Sequence, residues 1–303
     1  MRILITGGSG FIGSHLASHY QGQAEIVILD NLRSGHRQNL DGLDHTFIQG
    51  SVTDRATVDL AMTGVDVVFH LAAMISVPES MERPRECAEI NVLGLLNVLE
   101  SATAAGVRKV VLASSAAIYG DNPTVPKVET MFPEPKSPYA ITKLDGEYYL
   151  ELFRRECKLD TASLRFFNVF GPRQDPKSAY AAAVPIFIQK AFAGENLTIF
   201  GDGEQTRDFV HVTDIVAALA HVAGRTDLHG TYNVGYGDSM TVNDLAARIL
   251  RLSGSSSKIV HLPERPGDVK HSRASIDKLL ATGFRHVSSL DQGLVETLRS
   301  PVG

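Results

Sequence analysis

The chain has 303 residues, 44% of them hydrophobic and 21% charged, with a mean hydropathy of −0.01. This composition excludes a disordered chain, a collagen-like repeat and a coiled coil. A formal net charge of −5 and a pI near 6.1 argue against nucleic acid as the main partner, because domains that bind that polyanion are usually basic. No apolar run approaches the ~18 residues a membrane-spanning helix needs. The opening MRILITGG reads as a strand entering a glycine turn, not as a secretory signal, and the expected location is cytoplasmic. Cys87 and Cys157 lie far apart and read as packing residues in a reducing compartment. No metal site is expected.

In chain order, a strand over 2–6 is followed by a helix over 11–20, and strands over 25–29 and 45–49 by a helix over 54–62. A strand over 66–70, a long helix over 83–105, a strand over 108–113, a long helix over 138–158 and a strand over 161–165 continue the alternation. The runs ILIT, IVILD, VVFH and KVVLAS show no polar alternation, so these strands should be buried on both faces. Such strands separated by helices predict an α/β fold with a Rossmann-type, doubly wound parallel sheet. After about residue 168 the rhythm changes to short strands (LTIF, FVHV, TYNVG) among helices near 185–194, 213–224, 241–252 and 289–299. This predicts a smaller, mixed α/β C-terminal substrate lobe: residues 1–168 form the first domain and 169–303 the second, with elements free to return from the second half to the first.

The segment GGSGFIG at 7–13 follows the first strand and opens a helix. Gly7 permits the tight turn, Gly10 lets the backbone approach a pyrophosphate, and Gly13 lets the helix pack on the strand. A glycine triplet alone is weak; the strand–turn–helix context is what the motif requires. Asp30 ends the second strand, where a carboxylate accepts hydrogen bonds from a ribose and favours NAD over NADP. Arg33, three residues on, leaves some NADP tolerance open.

Tyr139 and Lys143 stand four apart in SPYAITK, and Pro138 suits the first turn of a helix, so the two share one face. A lysine cation beside a tyrosine favours the phenolate, and the pair then works as a proton shuttle. Ser115, just past a strand end, is placed to hydrogen-bond a reacting hydroxyl. Taken alone, Tyr-x-x-x-Lys is common on helix surfaces. The glycine loop upstream and the serine between them turn it into a catalytic set.

With these motifs in place, the chain resembles the extended short-chain dehydrogenase/reductase family, and within it the nucleotide-sugar 4-epimerases of the UDP-glucose and UDP-N-acetylglucosamine type. The resemblance covers nearly the whole chain. It is carried by GGSGFIG, DN at 30–31, HLAA at 70–73, Asn91, SSAAIYG at 114–120, YAITK at 139–143, FFNVFGPRQDP at 166–176, IFGDGEQTRDFVHV at 199–212 and RPGDVKHS at 265–272.

The resemblance implies that Ser115, Tyr139 and Lys143 are catalytic. It implies that NAD is held by Gly7, Gly10, Phe11, Ile12 and Gly13, by Asp30 and Asn31 at the ribose, and by Leu71, Ala72, Ala73, Ser114, Tyr139, Lys143 and Phe167 further along. Asn91 is the family asparagine, either touching the cofactor or serving as a buried structural amide. The GSV segment at 50–52 departs from the family aspartate after glycine, so Ser51 and Val52 stand where the adenine contact is expected. Asp54 is expected to cap the next helix. For the substrate, the resemblance implies Ser76 and Ser115 near the sugar, with Asn168, Ala182, Thr198, Ile199, Phe200, Arg207, Arg265, Asp268 and Ser272 around the nucleotide and sugar. Arginine suits a diphosphate because its planar fork binds two oxygens at once. The small Ser272 and Ala182 imply room for an N-acetyl group, while Ile75 narrows the opposite wall.

The implied function is 4-epimerisation of a UDP-hexose with tightly held NAD, through a transient 4-keto sugar, in a homodimer formed through the helices at 83–105 and 137–158. A uronic acid 4-epimerase, a reductase or a 4,6-dehydratase of the same fold are the alternatives. The dehydratase is disfavoured, because the acid and base that such enzymes carry after the serine are replaced here by Ala116 and Ala117, which transfer no protons.

Overall fold

The computed structural model describes residues 1–175, 182–264 and 270–300. The elements of the first half are β1 (Arg2–Thr6), α1 (Phe11–Tyr20), β2 (Glu25–Asp30), β3 (Thr46–Gln49), α2 (Arg55–Ala61), β4 (Val67–His70), α3 (Val77–Glu82), α4 (Pro84–Ala88), α5 (Gly94–Ala105), β5 (Lys109–Ser115), α6 (Pro138–Glu156) and β6 (Asp160–Phe166). Those of the second half are β7 (Asn168–Phe170), α7 (Ala183–Ala193), β8 (Leu197–Phe200), β9 (Thr206–Arg207), β10 (Phe209–His211), α8 (Val212–Ala223), β11 (Gly230–Val234), β12 (Met240–Thr241), α9 (Val242–Ser253), β13 (Ile259–Leu262), α10 (Asp277–Leu280) and α11 (Leu290–Arg299).

Seven strands form one sheet in the order β11-β6-β5-β4-β1-β2-β3, with β3 through β6 paired in parallel. The order reverses between β1 and β4, the switch at which open sheets of this kind bind ligands beyond the strands' carboxyl ends. The uninterrupted apolar runs are explained by burial: every residue of Ile3–Thr6 and of Val67–His70 is buried. One core packs Leu4, Val27, Val68, Val110 and Leu112 against Val58, Val98, Leu99 and Leu150 of α2, α5 and α6.

The chain divides into two compact units: Met1–Gly120, Phe132–Phe166 and Val216–Tyr232 form one, and Asp121–Met131, Phe167–Ile215 and Asn233–Gly303 the other. The second unit has its own core of Phe170, Phe187, Ile188, Leu197, Ile199, Leu245, Ile249 and Leu294. Its strands form three short pairs: β7 with β10, β8 with β13, and β9 with β12.

Two readings of the sequence need correction. The TYNVG strand, grouped above with the later short strands, is β11, the outer strand of the large sheet beside β6. The single helix expected over 83–105 is broken. Pro84 has no N–H and cannot sit inside a helix, so α3 ends at Glu82 and α4 starts with the proline at its first position. A π-helical turn over Glu89–Leu93 then separates α4 from α5. The helix begins earlier than expected because Ser76 caps it, accepting the Glu79 N–H at 3.1 Å.

Candidate active site

The chemistry-bearing residues of the first unit sit at the carboxyl ends of β1, β2, β4 and β5. After β1 the chain turns at Gly7, whose φ of +71° only glycine adopts freely. A Cβ at Gly7 would lie 2.8 Å from Ala72 N, and one at Gly13 would collide with the Gly7 carbonyl, so both positions demand glycine. Gly10 caps α1 with no side-chain hydrogen bond, which leaves the first N–H groups of this ten-residue helix open to an anion. Asp30 closes β2 with its carboxylate buried, accepting the Ser9 N–H at 2.9 Å and the Leu32 N–H at 2.8 Å. It thereby ties the glycine loop to the following loop.

Ser115 ends β5 and caps the next turn, accepting the Ala117 N–H at 3.1 Å. Its hydroxyl lies near enough to Tyr139 to act on the phenol's pKa. Burial raises the Tyr139 pKa, and Ser115 offsets part of that rise. One turn on, Lys143 donates from Nζ to the Ala113 carbonyl at 2.8 Å and stands 5.7 Å from the Tyr139 ring centre. Burial lowers the Lys143 pKa to about 8, with the Cys87 thiol acting against it. The helix that carries both is fixed at its start by Ser137, which accepts the Ala140 N–H, and by Ser80, which accepts the Tyr139 N–H. His70, at the end of β4, is held neutral: burial first and the Lys143 charge second push its pKa down to about 3.

Several hydroxyls and amides assigned to ligands are already engaged. The Asn91 side chain accepts the Met74 N–H at 2.8 Å and donates to the Met74 carbonyl at 3.1 Å and to Thr142 at 3.0 Å. These bonds pin the 71–74 segment against α6. Ser51 closes a local turn with Thr53, and Val52 is buried in the sheet's core. Ser76 caps α3. Ser114 is buried and donates to Glu147 Oε1 at 2.5 Å. These polar groups turn to their own backbone or to a buried partner, an option that serine and asparagine always carry. Asp54 caps α2 as expected. Arg33 is taken by Glu79, at 2.7 Å, and by Glu86. Phe11, Ile12, Leu71, Ala72 and Ala73 are half-buried around the glycine turn, and Asn31 is exposed beside it.

The second unit holds a cavity of about 640 Å³ lined by Asn168, Ala182, Thr198, Ile199, Phe200 and Arg207, six of the residues named from sequence. Asn168 donates from Nδ2 to the Asp208 carbonyl at 3.1 Å, and Arg207 donates to the Thr206 carbonyl at 2.9 Å. Phe167 is buried and donates its N–H to the Val234 carbonyl. Ser272 lies beside β9, its N–H bonded to the Thr206 carbonyl. Arg265 and Asp268 lie outside the described residues. The cavity also has members that sequence reading missed: Ala183, Ile186, Phe187 and Lys190, one face of α7, with Lys190 donating to Thr198 Oγ1 at 3.0 Å. Their spacing at i, i+3, i+4 and i+7 was the available signal.

These features fit a dinucleotide. The uncapped helix start offers N–H groups to a pyrophosphate, the glycines leave the close approach it needs, and the buried Asp30 carboxylate stands where a ribose is read. Among the described residues no cluster of three or more His, Cys, Asp or Glu could hold a metal, and no helix is long and apolar enough to cross a membrane.

The model of the NAD dependent epimerase/dehydratase family matches residues 3–235. The UDP-glucose 4-epimerase of Mycolicibacterium smegmatis is 37% identical over 98% of this chain and 97% of its own length. The solved structure of the UDP-N-acetylglucosamine 4-epimerase from Methanobrevibacter ruminantium, in complex with UDP-N-acetylmuramic acid, superposes with a TM-score of 0.95 at 39% identity, covering 98% of this chain and 97% of that one. That of the Thermus thermophilus UDP-glucose 4-epimerase, in complex with NAD, gives a TM-score of 0.90 at 37% identity and 98% coverage of both chains. Proteins named as UDP-sugar decarboxylases also match over nearly the whole chain. With its glycine turn, its Ser–Tyr–Lys set and these relatives, the chain belongs to the NAD-dependent epimerase/dehydratase family of extended short-chain dehydrogenase/reductases, and NAD is its cofactor.

Proposed function

We propose that the protein is a UDP-hexose 4-epimerase, interconverting UDP-glucose and UDP-galactose and also accepting their N-acetyl forms. The observation that carries this reading is Tyr139 and the buried Lys143 one turn apart on α6, with Lys143 Nζ held by the Ala113 carbonyl at 2.8 Å and Ser115 two residues further along the same strand. This set moves a proton on and off a sugar hydroxyl without an added acid or base. Ala116 and Ala117 supply none of the further proton transfers that dehydration requires.

NAD, when bound, accepts a hydride from the sugar carbon and returns it. The residues do the rest. Tyr139, as phenolate, takes the 4-hydroxyl proton as the 4-keto sugar forms, and gives it back when the other face is reduced. Ser115 orients that hydroxyl. Lys143 supplies the positive charge that makes a phenolate accessible near neutral pH. Gly7, Gly10 and Gly13 with the start of α1 bind the pyrophosphate of the cofactor, and Asp30 its ribose. Asn91 keeps the 71–74 segment in place through Met74.

In the second unit, Thr198, Ile199 and Phe200 line the uridine pocket, and Arg207, with Arg265, neutralises the diphosphate. The first unit is thus the NAD-binding domain and the second the nucleotide-sugar lobe. The exposed Leu93, Ile141, Tyr148 and Leu152, on the π turn and α6, support a homodimer through these helices. A cytoplasmic location goes with this reading. Acceptance of N-acetyl sugars is supported by the small Ala182 in the cavity wall and by the M. ruminantium relative.

The test is incubation of the purified protein, without added cofactor, with UDP-glucose, UDP-galactose, UDP-N-acetylglucosamine and UDP-glucuronate, reading the C4 epimers by NMR. Epimers of the first three are expected. Conversion of the uronate alone, or loss of carbon dioxide from it, would replace this reading with a uronic acid activity.

A further inference from the structure

One face of α6 meets three consecutive residues of β5. Tyr139 lies by Ser115, Lys143 Nζ donates to the Ala113 carbonyl at 2.8 Å, and Glu147 Oε1 accepts from Ser114 at 2.5 Å. The helix lies close: a Cβ at Gly146 would be 3.0 Å from Leu112 Cδ2 and 3.1 Å from Leu95 Cδ2. Lys143 and Glu147 stand four apart on this face, a spacing at which lysine and glutamate ordinarily pair. They do not pair here.

Glu147 is claimed by Arg165 of β6, the neighbour of Ser114 on the adjacent strand. Arg165 Nε donates to Oε1 at 2.9 Å and Nη2 to Oε2 at 2.7 Å, a bidentate grip with both side chains 5% exposed. Arg165 also donates from Nη1 to the Tyr119 hydroxyl at 2.9 Å, its guanidinium 4.9 Å from that ring's centre. Burial works to lower the Arg165 pKa, and Glu147 more than reverses it, so the guanidinium stays charged. The proton shuttle of the proposed function uses neither member of this buried pair.

We infer that Arg165 is a positioning residue for proton transfer: by holding Glu147 away from Lys143, it keeps the lysine ammonium available to Tyr139. This rests on the role proposed for Tyr139. A carboxylate released beside Lys143 would engage the ammonium and place an anion near the phenol, and both effects oppose the phenolate. The other titratable groups facing this part of α6 do not take over that role. His70 from β4 is held neutral, and burial pushes the Cys87 thiol of α4 up. Glu79 of α3 is paired with Arg33.

The experiment uses the protein with its bound NAD and two readouts: the pH dependence of UDP-glucose epimerisation, and the Tyr139 phenolate absorbance without substrate, taken as the difference from Tyr139→Phe. Arg165→Met is expected to move the acid limb and the phenolate titration up together by about one pH unit, lowering kcat near neutral pH about tenfold. KM should stay within about twofold. Glu147→Gln, which removes the anion, should leave both unmoved or move them down. Arg165→Lys, which keeps the charge, should hold the wild-type position while melting at a lower temperature. Should Arg165→Met fail to fold, the Glu147→Gln titration decides alone. An upward shift in Glu147→Gln, or no shift in a folded Arg165→Met, overturns the inference. Absence of epimerase activity in the wild type would sink the proposed function instead, and the phenolate titration would still decide this point.

Discussion

The two units meet their ligands in different ways. In the first, the chemical groups are tied down in advance: Asp30 by two backbone N–H groups, Ser115 by the Ala117 N–H, and Lys143 by the Ala113 carbonyl. In the second, the ligand space is a mostly apolar cavity whose charged edge, Arg207 and Lys190, comes from long side chains on β9 and α7. Hydride and proton transfer need groups fixed within fractions of an ångström, which parallel strand ends provide. A nucleotide needs area and charge, which an apolar wall and arginine provide. On the proposed function, the difference puts turnover in the first unit and affinity in the second.

Mutation should separate the two. Tyr139→Phe removes the base and is expected to lower kcat by several orders of magnitude while KM for UDP-glucose changes little. A variant keeping more than about a tenth of the rate would end the assignment. Arg207→Ala should do the reverse. Losing a charged partner of the diphosphate costs about 1.5–3 kcal/mol, roughly tenfold to a hundredfold in KM, with kcat and bound NAD preserved. A fall in kcat with KM unchanged would show that Arg207 acts on the chemistry instead. Asp30→Ala should weaken NAD by a similar roughly tenfold to hundredfold factor, leaving the purified protein cofactor-poor. It should also lower the melting temperature, since the Ser9 and Leu32 N–H groups lose their acceptor. Full cofactor loading would contradict the ribose role.

The smallest expected effect is one of pH. Burial pushes His70 in the first unit from 6.5 down to about 3, and Asp208 in the second from 3.8 up to about 6. His70 adds stability that is present above its unfolded pKa and lost as pH falls from about 6.5 toward 3. Asp208 adds stability that is full below about 3.8 and lost as pH rises through about 6. From pH 7 to pH 4, acid therefore loosens the first unit relative to the second. Hydrogen exchange, corrected for its intrinsic pH dependence, should show protection in β1 and β4 falling relative to β7 and β10. Parallel changes in both would remove this contrast.

What the sequence disclosed follows the same division. The glycine turn, Asp30 and the Tyr139–Lys143 pair are local patterns, fixed by a turn or by one helical repeat, and each is legible in a short window. The cavity is assembled from 168–169, α7, β8 and 205–209, and only the named motifs pointed to part of it. Serines misled. Ser51, Ser76 and Ser114 look available in sequence, yet their hydroxyls satisfy a turn, a helix cap and a buried carboxylate. The Glu147–Arg165 pair, 18 residues apart on α6 and β6, had no sequence signal at all. The break at Pro84 did have one, in the proline itself and in the capping Ser76.

The central claim is that one tightly held NAD takes and returns the same hydride at C4 while Tyr139 handles the proton. Its most direct test is epimerisation of UDP-glucose carrying deuterium at C4, in ordinary water and without added cofactor. Retention of the deuterium at C4 of the UDP-galactose formed is the expected result. Loss of the label to solvent, or dependence of the reaction on added nicotinamide cofactor, would contradict it.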